Sequence, residues 1–352
     1  MLQEVIGLML RLGLTAFGGP AAHIAMLHQE VVVKRAWITE QQFLDYLGLV
    51  NLIPGPNSTE LIMHVSLKKA GWRGLWLGGA AFILPAASIT LLFAWLYQQY
   101  GTTPIGTGIL TGIKPVVIAV VAQAIYALLR PALKTSSLML LAALTALGYL
   151  LGINELVLLL TLVLAHFTFT RAKPTLALEP ISLGMVFLLF LKIGATLYGS
   201  GYVLLAYLKN EFVAQGWLTE PQLLAAIAIG QLTPGPVFSS ATFVGFQMAG
   251  LSGAILATIG IFLPAFMFVW LTHPLLEKLR ALPWTSRMLD AVNAAALGLM
   301  LGVLVILTRD AVVNVLTGLI AVFSLIGLVR FKINSTWLIA IGALLGVVFG
   351  LG

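Results

Sequence analysis

The sequence predicts an all-α polytopic membrane protein. It is built from two inverted-topology repeats, each with about five crossings and one re-entrant helical hairpin. Three observations predict this: the composition, a self-similarity with a period near 180 residues, and a charge bias that reverses between the halves. Of 352 residues, 60% are hydrophobic and only 9% charged, against about 25% charged in soluble chains. Mean hydropathy is +1.04. So few charges cannot clothe a water-facing surface, which excludes a soluble enzyme, a disordered chain and a nucleic-acid binder. The formal charge of +7 reads as basic loops on one membrane face. With no cysteine, disulfides, zinc–thiolate sites and Cys nucleophiles are excluded. The opening Met1-Leu2-Gln3-Glu4 lacks the basic region and cleavage pattern of a signal peptide, so the first apolar run is expected to remain as a membrane segment. A carrier, a channel or an enzyme acting within the bilayer remains.

The repeat is visible when the chain is slid along itself. Trp37-Ile38-Thr39-Glu40 recurs as Trp217-Leu218-Thr219-Glu220, and Pro54-Gly55-Pro56 as Pro234-Gly235-Pro236. Leu84-Pro85-Ala86 matches Leu263-Pro264-Ala265, Gly71 matches Gly250, and Arg130 matches Arg309. Phe17-Gly18-Gly19 aligns with Tyr198-Gly199-Ser200, Glu30 with Glu211, and Arg11 with Lys192. The halves divide as 1–175 and 176–352.

A crossing helix needs about 20 apolar residues. Such runs lie near 4–33, 75–97, 108–130, 136–152 and 153–170, then 181–208, 253–272, 288–308, 311–329 and 335–351. The stretch 39–68 differs, because Pro54-Gly55-Pro56 splits it into two runs too short to cross. A helix cannot continue through Pro-Gly-Pro, so a re-entrant hairpin is expected there and again at 219–248. The flanks of 39–68 are basic (Lys34, Arg35, Lys68, Lys69, Arg73), whereas those of 219–248 carry only Lys209. The loop near 98–107 has no Lys or Arg, while 273–287 has Lys278, Arg280 and Arg287. Basic loops face the cytoplasm, so the second half is upside down.

Non-helical backbone at membrane depth survives only where protein or water covers it. The breaks at Gly18, Gly19 and Pro20 and at Pro54, Gly55 and Pro56 therefore mark a buried polar cavity. So do Gly199, Ser200 and Gly201, and Pro234, Gly235 and Pro236. The helix restarting after Pro56 opens with Asn57, Ser58 and Thr59; the restart after Pro236 includes Ser239 and Ser240. Free amides, a positive helix end and small hydroxyls favour an anion. Two such tips could hold a tetrahedral dianion. Arg11 and Lys192 are the charged candidates along its pathway, with snorkelling as the alternative. Glu60 and Asp45 are candidates to carry a proton, with helix-terminus or salt-bridge roles as the alternative. Glu40 and Glu220 read as first-turn acids after a Thr cap. His23 and His64 could titrate, with a satisfied place in the core as the alternative. No metal-ligand spacing, nucleotide loop or cofactor motif is present.

Phe17-Gly18-Gly19-Pro20, Trp37-Ile-Thr-Glu-Gln-Gln-Phe43 and Asn51-Leu-Ile-Pro-Gly-Pro-Asn57 resemble the chromate ion transporter family. The second copy, with Tyr198-Gly-Ser-Gly201 and Gln231-Leu-Thr-Pro-Gly-Pro236, resembles the C-terminal half of its two-domain members. The resemblance implies secondary export of chromate, with sulfate as the related oxyanion, driven by membrane potential or a proton gradient and conferring chromate resistance. It implies a multi-pass protein of a bacterial or archaeal inner membrane. The partners expected are the oxyanion and the lipid bilayer, with no nucleic acid; a homodimer is an open option. A passive anion channel is the first alternative. An intramembrane hydrolase using Ser58 or Ser240 with His64 is the second.

Overall fold

A computed structural model describes residues 1–17, 19–51, 53–151, 153, 158, 182–197, 203–275 and 283–349. Among the described residues all regular structure is helical, with thirteen α-helices and no strand. The first half contains α1 (Leu2–Thr15), α2 (Gly19–His28), α3 (Glu40–Val50), α4 (Asn57–Tyr100), α5 (Pro104–Ala132) and α6 (Ser136–Leu150). The second contains α7 (Leu183–Thr196), α8 (Leu204–Leu208), α9 (Glu220–Leu232), α10 (Ser240–Thr272), α11 (Pro283–Ala311), α12 (Val315–Val329) and α13 (Ser335–Val348). The crossing expected at 153–170 lies outside the described residues apart from 153 and 158, and Arg171 to Pro180 lies wholly outside them.

The expected crossings need correction in length. Among the described residues, three helical stretches are long and apolar enough to span a bilayer: Asn57–Tyr100, Pro104–Ala127 and Val237–Thr272. Helices α1, α6, α7, α12 and α13 have 14 or 15 residues, about 21–23 Å against a hydrocarbon layer of about 30 Å. The segment 4–33 is two helices, because α1 stops at Thr15 and α2 begins at Gly19. The segment 181–208 likewise stops at Thr196 and resumes at Leu204.

Local sequence accounts for the boundaries. Thr39 and Thr219 each accept from the amide three residues on, while Gln42 and Gln222 reach back to the cap amide, the reciprocal capping pattern. Glu40 and Glu220 then sit in the first turn, as expected. Helix α2 and helix α8 each run into a π-helical turn, Gln29–Lys34 and Lys209–Val213.

Helices α4 and α10 each fold back on themselves. Gly71 has φ +62°, ψ −155° and Gly250 has φ +58°, ψ −148°, a region essentially reserved for glycine. Each helix thus has a short leg before the kink and a long leg after it. The legs meet through small residues: Ser66 lies against Gly74 and Gly78, and Gly245 against Gly253 and Ala257. Larger side chains there would hold the legs apart.

Helix α1 packs on the long leg of α4, with Gly13 on the Phe82 carbonyl. Helix α7 packs on the long leg of α10, with Gly194 on the Ile261 carbonyl. The two long legs run antiparallel against each other, and Trp72 stacks on Trp270 at 5.4 Å and Trp76 on Phe266 at 4.7 Å. Helices α11, α12 and α13 gather round α5, and α6 packs on α11. Gly108 and Gly112 face the backbone of Gly342 and Gly346, which lets α5 and α13 approach closely.

Candidate functional site

The first Pro-Gly-Pro tip is buried and breaks the chain between α3 and α4, with Ile53, Pro54, Gly55 and Pro56 all inside the protein. Helix α4 starts directly after it, and Pro56 supplies no side-chain cap. The amides of Thr59 and Glu60 both donate to the Pro56 carbonyl, at 2.7 and 3.1 Å. Those of Asn57 and Ser58 are too early in the helix to have an intrahelical acceptor. The second tip is buried as well, but its chain restarts in a 3-10 turn, Val237–Ser239, before α10.

Each tip docks on the opposite half. The Gly55 amide donates to the Leu197 carbonyl at 2.8 Å, and the Gly235 amide to the Ala16 carbonyl at 3.0 Å. Ala16 and Leu197 are the residues on which α1 and α7 end. The two glycine amides expected to face an anion are therefore engaged by carbonyls here. What faces inward at the first tip is the start of α4.

The hydroxyls divide between the tips. Asn57 donates to Asn51 at 2.6 Å, and Ser58 lies 3.1 Å from His23 Nδ1. His23 Nε2 is 3.0 Å from the Ala16 carbonyl. A carbonyl only accepts, so Nε2 carries the proton, and in the neutral ring Ser58 donates to Nδ1. The Ala16 oxygen thus receives both His23 and the Gly235 amide. This joins the end of α1, helix α2 and both tips in one network, a place for His23 that its residue type alone does not reveal. Thr59 Oγ1 and both oxygens of Glu60 are buried without a hydrogen-bond partner. At the second tip Ser240 donates to the Val237 carbonyl at 2.8 Å, and Ser239 accepts from Thr90 at 3.1 Å. Those two hydroxyls are committed within the protein.

Arg11 and Lys192 stand apart from the tips, each in an ion pair. Arg11 is 2.7 Å from Glu30, and Lys192 is 2.6 Å from Glu211. Both carboxylates lie in the π-helical turns, so Arg11–Glu30 and Lys192–Glu211 are the same pair made once in each half. Glu30 also takes Lys34 at 2.8 Å and bonds Arg35. Three cations thus share one carboxylate, beside a cavity of 440 Å³ lined by Arg11, Thr15, Gln29, Glu30 and Lys34. The surplus charge makes that vestibule attractive to anions. Asp45 on α3 accepts from Gln41 at 2.8 Å. Gly19 and Pro20 open α2; Gly18, Gly199, Ser200 and Gly201 lie outside the described residues.

A polar network at two helix breaks and a cationic cavity, inside an apolar helical protein, is the setting of a transporter. The sequence profile of the chromate transporter family matches residues 3–167 and again 184–347. The chain belongs to the chromate transporter family. It is 31% identical to a "Probable chromate transport protein" of Synechococcus elongatus, over 99% of this chain and 95% of that one. It is 29% identical to the "Chromate transport protein" of Cupriavidus metallidurans, over 99% and 93%. The "Chromate transport protein" of Pseudomonas aeruginosa is 32% identical over 82% and 77%. No solved structure matches. Membership in the family assigns this chain a transport role.

Proposed function

We propose that the protein is a secondary active carrier that exports chromate, and sulfate-like oxyanions with it, across a bacterial or archaeal inner membrane. The reading rests on the reciprocal docking of the tips: Gly55 on Leu197, Gly235 on Ala16. The same contact made twice, 180 and 181 residues apart, is what a pseudo-two-fold axis produces. The antiparallel packing of the equivalent long legs of α4 and α10 supports an axis in the membrane plane, hence inverted repeats with two re-entrant hairpins. The split profile match, one stretch per half, supports domains of 1–175 and 176–352.

The anion enters through the cavity lined by Arg11 and Lys34 and settles at the start of α4. There the amides of Asn57 and Ser58, the Thr59 hydroxyl and the helix dipole offset its charge. Gly18, Gly19, Pro20, Gly199, Ser200 and Gly201 belong to this site on their sequence alone, and Pro234 to Pro236 form its second tip. Lys192 serves the other face. Rocking of the halves opens in turn the two tip contacts, both closed in this structure, and the anion leaves on the opposite side. The expected outcome is that Pro56→Ala and Asn57→Ala abolish chromate resistance while the protein stays in the membrane. In proteoliposomes the carrier accumulates labelled chromate by counterflow. Resistance equal to wild type in both variants refutes the site; flux without counterflow makes the protein a channel.

A further inference from the structure

The short leg of α4 buries polar side chains that the anion site does not use. Glu60, His64 and Ser66 are each fully buried. Both Glu60 oxygens and His64 Nε2 have no hydrogen-bond partner. An unsatisfied carboxyl at depth is costly, so its retention calls for a purpose. A Cβ at Gly55 would collide with this carboxylate, which places it against the first tip. His64 lies four residues on, one turn away on the same helix face. Beyond it, His64 Nδ1 is 3.1 Å from His273 Nδ1, and the two rings stack with Tyr46 at 5.3 and 5.5 Å. His273 is half-buried just past the end of α10, near Lys68 on the basic face.

We infer that His273, His64 and Glu60 form a proton path from the basic, cytoplasmic face to the first Pro-Gly-Pro tip. The chemistry needs only the two imidazoles. His273 takes a proton from water on Nε2 and passes its Nδ1 proton to His64 Nδ1. His64 releases its Nε2 proton, which a water or a side-chain rotation carries across one turn to the Glu60 carboxylate. Each ring gains one proton and loses one, so the path resets by tautomer exchange. The anion half of this inference rests on the proposed carrier site. A dianion at the start of α4 and a carboxylate one turn away repel each other, so anion and proton bind cooperatively.

Among the other titratable or charged groups on elements packed against α4, Glu4 lies in the first turn of α1, Arg11 pairs with Glu30, His28 on α2 with Glu40 on α3, and Glu220 on α9 with Lys209. His23 on α2 is held by Ser58 and Ala16. Asp45 on α3 accepts from Gln41, and Tyr46 lies in the stack. Lys68 is on α4 itself. The residues 180 positions after Glu60 and His64 are Ser240 and Val244, so the repeat does not duplicate the path and it serves one face.

The test uses the whole protein in liposomes, with and without a pH gradient. Infrared spectroscopy first follows the carboxyl C=O band that Glu60→Gln removes. Hydrogen–deuterium exchange at that band is expected to slow at least tenfold in His273→Gln. That readout needs no transport, so it judges the path even if the wild type moves no chromate, a result that would sink the carrier reading alone. Second, His273→Gln is expected to keep exchange of labelled chromate at equal pH but lose its acceleration by the gradient. Glu60→Gln is expected to lose the gradient response outright. Unchanged deuterium exchange in both His273→Gln and His64→Gln, or a full gradient response in Glu60→Gln, overturns the proposal.

Discussion

Gly55 concentrates three demands in one residue. Its φ is +135°, its amide holds Leu197, and the space where a Cβ would stand is filled by Glu60. Forcing a side chain into such backbone costs about 1–3 kcal/mol before any collision. Gly55→Ala is therefore expected to lower the melting temperature in detergent and to abolish chromate resistance. Gly235→Ala, whose nearest neighbour would be the Ala86 methyl group, should be milder in melting and equally damaging to resistance. Glu30 allows a sharper comparison. Glu30→Gln leaves Arg11, Lys34 and Arg35 facing one another, whereas Glu211→Gln leaves Lys192 alone. Thermal unfolding at low salt is expected to fall more for Glu30→Gln, and added salt should narrow the difference by screening. These residues were legible to different degrees. The glycines and Glu30 stood out in the repeat, but His23, Leu197 and Ala16 did not. A carbonyl acceptor leaves no trace in residue type, and a histidine's partner 35 residues away is set by how α2 meets α4.

At the level of elements, the folded-back helices carry the design. Proline placed a break at Pro54-Gly55-Pro56 and hydropathy a crossing from 75; α4 starts directly after the break and contains the crossing, with its reversal at Gly71 rather than in a loop. The reason is local: Gly71 alone supplies the turn, and Ser66, Gly74 and Gly78 let the legs touch. Ser66→Leu is expected to unfold the protein or prevent its accumulation, because the added carbons meet the backbone of the long leg. At the equivalent contact Gly245 faces Ala257, so Ala257→Gly should be tolerated; yield and melting temperature in detergent compare the two. The short helices were not legible. Uniform hydropathy shows that a segment is buried in lipid or protein and does not show where it stops.

Across the whole molecule, topology is open to direct test because the chain has no cysteine. Arg73 and Ser252 are both exposed, next to the kinks at Gly71 and Gly250. Inverted halves put them on opposite faces. An impermeant maleimide added to intact cells is expected to label Ser252→Cys and spare Arg73→Cys until the membrane is opened. Equal labelling of both would refute the inversion. Charge counting alone predicts this arrangement, and the antiparallel stacking of Trp72 on Trp270 supports it from packing.

Composition, periodicity and charge by themselves determined that this chain is a helical membrane protein, pointed to one unit used twice, and placed the break at Pro54-Gly55-Pro56. These follow from local rules: lipid rejects charge, proline ends helices, and glycine takes angles others cannot. Only the tertiary structure decided which groups meet at the breaks. It turned the Gly55 and Gly235 amides onto carbonyls of the opposite half, paired Arg11 with Glu30 and Lys192 with Glu211, and set His64 beside His273 across 209 residues. Such contacts depend on how helices distant in sequence are oriented against one another, and no single stretch of chain encodes that orientation.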